Sequence, residues 1–216
     1  MTFHRARAWQ TMLGLWTDVV AKSPQKARPH AGLGGAYYLK GEVQLAIDEY
    51  LAALRLAGGD PVWIRSRIHD KLATAYLAQG RTEDAIAAAQ KGLQEDPENS
   101  PLLGTLAMAY LRRHQMPEAK AAAEHAVRTT PSPAVALLLL GLAQAEIGDQ
   151  ASAVDAFERA LKLEPDLWKG RLYLAAVYRA QGRKEEACAV LRVLRQSGAE
   201  QLPEEAKLVL ASCPSD

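Results

Sequence analysis

Aromatic residues make up only 6% of the chain, with two phenylalanines among them, and cysteine also occurs just twice. Strand-forming valine, isoleucine and threonine are sparse and never alternate with polar residues at period two. That pattern excludes a β-rich fold and predicts an all-α one. The longest apolar run, Ala134 to Ala143, is half of what a membrane span needs, so the chain is expected to be soluble, with no direct membrane insertion. The stretch after Met1 is basic but lacks an apolar core and a small-residue cleavage site, so it does not read as a signal peptide. Net charge is missing too. With 26 basic and 25 acidic residues the balance is +1, which gives no field to hold a polyanion and removes nucleic acid from the expected partners. Cys188 and Cys213 form neither a C-x-x-C pair nor a metal-ligand spacing; two reduced thiols and one disulfide both stay open.

What is present is alanine, glycine and enough apolar residues for a core: 49% of 216 residues are hydrophobic. Four glycines fall within HAGLGGAYYLKG, His30 to Gly41. A phosphate-binding loop of that kind would follow a strand and carry an acid about 20 residues on, and neither is found here. Gly34 and Gly41 instead read as a close-packing position and a helix-ending turn, while Gly32 and Gly35 fall on other faces of the same helix, open to a partner's backbone.

A repeat explains the glycines. Tyr76 and Tyr110, Ala85 and Ala119, and Pro97 and Pro131 are each 34 residues apart, and the same step reaches Ala153, Pro165 and Ala187. Backwards from Ala85 the step to Ala46 is 39, so five extra residues sit near Gly58 to Pro61. They are expected to lengthen the first helix of the following unit and to place Trp63 and Ile64 on it. Within a unit, His69, Leu72, Ala73 and Tyr76 form one helical stripe, and Ala85, Ala89 and Gly92 form a small-residue stripe on the next helix. Asp60-Pro61, Ser100-Pro101 and Ser132-Pro133 each read as an N-cap before a first-turn proline.

This pattern resembles the tetratricopeptide repeat. The first unit reads Leu33, Gly34, Tyr37, Gly41, Ala46, Tyr50, Ala53, and the second Leu72, Ala73, Tyr76, Gly80, Ala85, Leu93, Pro97. Three further units keep the register, with His114 in place of a turn glycine and Gln144 in place of an aromatic. The resemblance implies a right-handed α-solenoid of antiparallel helix pairs, with five units at about 27–60, 61–99, 100–133, 134–167 and 168–201. Residues 1–26 read as a helical half-repeat, which offers a route to a homodimer, and 202–216 as a capping helix, Pro203 to Cys213, with a tail. The segment from Arg5 to Gly34 also resembles the junction between the last membrane helix and the repeat domain of multi-spanning bacterial membrane proteins of glycosyltransferase type. The elements that match are the basic residues before Trp9, Leu15-Trp16 and Lys22 to Pro24. That second resemblance implies an extracytoplasmic accessory domain.

No motif suggests an enzyme, a cofactor or a metal site; His30 and His69 fill equivalent slots as bulky packing residues, without further ligands at matching spacing. The family places its binding groove on the first helices. The resemblance therefore assigns to it Arg28, Tyr38, Arg67, Lys71, Thr74, Met108, Arg112, Leu138, Leu142, Lys169, Tyr173 and Arg179, with Ala31, Gly35 and Ala176 among their neighbours on those faces. Such a groove is basic at both ends and apolar at Leu138 and Leu142. It would hold a protein or peptide with apolar anchors and acidic flanks. The paired lysine and asparagine that grip a C-terminal carboxylate in some members have no counterpart, since the assigned faces contain no asparagine.

Overall fold

The computed structural model describes residues 2–196 with Lys207 and Cys213, and the side chains of residues 11–193 and of those two. Every regular element among them is helical: α1 (Thr2–Lys22), α2 (Ala27–Lys40), α3 (Val43–Leu56), α4 (Val62–Ala78), α5 (Thr82–Glu95), α6 (Ser100–Arg112), α7 (Met116–Thr129), α8 (Ala134–Ile147), α9 (Gln150–Leu163), α10 (Trp168–Ala180) and α11 (Lys184–Gln196). They form two compact units, Met1–Arg113 and His114–Asp216. In the first, α2 pairs with α3 and α4 with α5, while α2, α4 and α6 lie side by side as one layer. In the second, α8 pairs with α9 and α10 with α11, and α7 covers α8.

Turn chemistry sets these hairpins. A left-handed residue ends the first helix at Gly41 (φ 90°), Gly80 (76°), Gly148 (92°) and Gly182 (78°), and at each the next amide reaches back to close the last turn, as Glu42 N–H does to the Tyr37 carbonyl at 3.0 Å. His114 takes the same conformation at φ 53°.

Within each pair, alanine brings the helices close. Ala46, Ala85, Ala153 and Ala187 are all 0% exposed. Where the second helix carries a ring, the first helix has glycine: a Cβ on Gly34 would stand 2.8 Å from the Tyr50 ring, and one on Gly141 2.6 Å from Phe157. Gly32 serves packing as well. The Trp16 ring of α1 fills the space of its absent Cβ, 2.5 Å away, so Gly32 offers no backbone to a partner, contrary to its expected open position.

The inserted residues lengthen α4 to 17, against 13 or 14 in α2, α6, α8 and α10. The proline caps differ from expectation. Asn99, not Ser100, caps α6, its side-chain oxygen accepting from Leu102 N–H at 3.1 Å, while α4 and α8 follow Pro61 and Pro133 with no side-chain cap. Asn99 is preferred because its amide also donates to the buried Ser66 hydroxyl (2.8 Å) and to Asp96 (3.0 Å).

At the C-terminal end Cys188 of α11 is disulfide-bonded to Cys213, which packs among Leu174, Ala187 and Leu191. Lys207 is helical; the other residues of the expected cap from Pro203 to Ser212 lie outside the described residues.

Candidate functional site

The layer formed by α2 and α4 carries the most distinctive surface of the first unit. The extra turn of α4 holds Trp63 out at 53% exposure. Two guanidinium groups, Arg28 of α2 and Arg67 of α4, lie 5.9 Å from its ring centroid. Such cation–π contacts hold long basic side chains extended on the surface. Neither arginine has an acid partner among the described residues. Beneath them opens a cavity of about 340 Å³, whose apolar floor is Ala31, Gly35, Ile64, Ile68 and the ring of Tyr50. Lys71 stands at its edge, 3.9 Å from Asp70. A smaller cavity of about 200 Å³ adjoins it, sharing Gly35, Tyr50 and Lys71 and adding Tyr38, Leu39 and Thr74. Charge thus stands at the rim of these cavities and apolar surface within.

Five expected groove residues of the first unit therefore meet around one site: Arg28, Tyr38, Arg67, Lys71 and Thr74. Met108 is exposed on α6 without lining either cavity, and Arg112 donates to the Leu77 carbonyl at the end of α4, so it ties helices together. In the second unit Lys169 lies over the Trp168 ring at 5.5 Å, Tyr173 stacks on Phe157 at 6.0 Å, and Arg179 is exposed. Leu138 corrects the expectation of an apolar groove floor. It is 7% exposed and packs with Ala153, Phe157 and Leu174, with half-buried Leu142 against the same cluster. The reason is that α8 is apolar on every side, with Ala136, Leu137, Leu139 and Leu140 buried too, so leucine spacing on it marks no particular face.

Sequence reasoning missed Tyr50 as part of the site and gave Trp63 no binding role. The inserted turn was the signal for Trp63. For Tyr50 it was the choice of tyrosine where the fourth repeat has Phe157.

The histidines hold structure. His30 bridges the Glu49 carboxylate (2.6 Å) and the Pro24 carbonyl (3.0 Å) through its two ring nitrogens. His69 is buried against Gly92, and burial pushes its pKa down, which favours the neutral ring. Among the described residues no three His, Cys, Asp or Glu side chains converge as a metal site, and no helix is long and apolar enough to cross a membrane.

Models described as tetratricopeptide repeat match residues 6–61, 76–144, 135–166 and 170–197. The chain belongs to the tetratricopeptide repeat family. A thermophilic TPR protein of Thermus thermophilus superimposes with a TM-score of 0.70 at 22% identity over 86% of this chain and 97% of that one, which shows the shared α-solenoid fold. The first TPR of Spaghetti (RPAP3), bound to the HSP90 peptide SRMEEVD, is 26% identical, with a TM-score of 0.52 over 54% of this chain and 93% of its own. Tetratricopeptide repeat protein 28 of Mus musculus is 30% identical over 95 residues, and the chain spans 4% of that relative's length. As a tetratricopeptide array the protein has the architecture of a protein-interaction scaffold, whose stacked repeats present an extended binding surface.

Proposed function

We propose that this scaffold captures a short segment of a partner protein on the α2–α4 face, where an acid and a bulky apolar side chain beside it meet the 340 Å³ cavity and its rim of arginines and indole. The observation that carries the reading is the pair Arg28 and Arg67, held beside exposed Trp63 without an acid of their own. The peptide SRMEEVD in the related complex supports it by its chemistry, since acids there sit beside methionine and valine. A second reading, an accessory domain of a membrane-bound glycosyltransferase-type protein, gains support from the Cys188–Cys213 bond, because disulfides persist mainly in oxidising compartments.

The first reading is tested kinetically. With a peptide selected from a random library against the whole chain, Arg67→Glu combined with Lys71→Glu is expected to slow association about tenfold and flatten its dependence on salt, because exposed rim charges steer encounter. An association rate unchanged at low salt would remove the basic rim from the account.

A further inference from the structure

Tyr50 is 1% exposed, yet its hydroxyl has no hydrogen-bond partner among the described residues. It borders both cavities, the larger and the smaller. The ring is buried while the hydroxyl opens onto the cavities, where only water or a ligand can take its hydrogen bond. Packing does not account for the hydroxyl. Phe157 in the equivalent slot of the fourth repeat stands on Gly141 as Tyr50 stands on Gly34, and a phenyl ring alone does that work.

The floor next to the hydroxyl is open for a related reason. A Cβ added to Gly35 would meet only the Tyr50 hydroxyl, at 3.8 Å. The same slot in the later repeats holds Thr74, Met108, Leu142 and Ala176, so the first repeat alone leaves it empty of side chain. Burial pushes the phenol pKa up to about 12, so at neutral pH the group is a donor. The donor shares its cavity with Arg28, Arg67 and Lys71; Asp70 lies beside Lys71 and its charge reaches the hydroxyl, so the two arginines are what favour an anionic acceptor, and the exposed indole favours an apolar neighbour.

We propose that Tyr50 determines specificity: its hydroxyl donates to the side-chain carboxylate of a Glu or Asp in the partner segment, seated over Gly35, while the adjacent bulky residue of that segment packs on Trp63. This rests on the α2–α4 face being the binding face.

Three blocked hexapeptides test it, N-acetylated and C-amidated so that a side chain bears the only carboxylate. Each is built on Gly and Ser around a central Phe-Glu, Phe-Gln or Ala-Glu pair, and binding to the whole chain is followed by amide chemical shifts. The wild type is expected to bind Phe-Glu about tenfold or more tighter than Phe-Gln, the size of one hydrogen bond to a charged group, and Ala-Glu more weakly than Phe-Glu. Tyr50→Phe should melt as the wild type does, weaken Phe-Gln only slightly, since the Gln oxygen accepts a neutral and weaker bond, and lose most of the preference for Phe-Glu. Gly35→Ala should melt higher, since alanine suits a helix better, yet bind both Phe peptides more weakly. Wild-type preference retained in Tyr50→Phe, or no preference in the wild type, overturns the role of Tyr50 while leaving the binding face intact. If none of the peptides shifts α2 or α4 resonances in the wild type, the face itself is wrong, and the inference falls with it.

Discussion

At the scale of single residues, the left-handed turn is the most exacting demand the repeat makes. Four of five such turns use glycine, and His114 meets the fifth at φ 53°, where a side chain crowds its own carbonyl. His114→Gly removes that strain but adds freedom to the unfolded chain, so the net gain is expected to be roughly 0.5–1 kcal/mol in urea unfolding. A loss of stability would mean that the imidazole makes contacts worth more than the strain. This position was legible in the sequence because register alone identifies it. Tyr50 was not: the repeat pattern asks for an aromatic there and is satisfied by either ring, so nothing in the spacing distinguishes a hydroxyl that opens onto a cavity from a phenyl that only packs. Leu138 was misread for the opposite reason. In a helix with apolar residues on all faces, periodicity carries no information about which side meets solvent.

At the scale of elements, the alanine slot of each second helix is fully buried. Ala119 of α7 is 0% exposed, while Glu118 beside it faces solvent. Ala119→Glu is expected to cost about 3 kcal/mol or more as an unpaired buried charge, and Glu118→Ala to change stability by less than about 0.5 kcal/mol. Equal melting temperatures for the two variants would break the repeat register on which the helix pairing rests. Alanine slots were readable because burial tolerates so few residue types where two backbones approach. The long α4 was readable too, as a count of five residues beyond the repeat. Helix starts were less so. Asn99 and Ser100 are both good caps in isolation, and only the tertiary partner Ser66, 33 residues away in sequence, decides between them.

At the scale of the whole molecule, contacts run mainly between neighbouring helices within each compact unit, so stability is distributed rather than held by one core. That architecture leaves side chains on the first helices free to specialise, and in the first unit an inserted turn, a missing side chain at Gly35 and two arginines without an acid partner among the described residues converge on one face. On the proposed reading the partner is received by this face and by no other. That reading is tested most directly by mapping, on the isotope-labelled whole chain, the backbone amides shifted by a peptide selected without bias from a random library. The shifts are expected to centre on Ala31, Gly35, Trp63, Arg67 and Lys71, and the selected peptides to place Asp or Glu beside a bulky apolar residue. Shifts confined to the second helices α3, α5, α9 and α11, or selected peptides without acids, would contradict it.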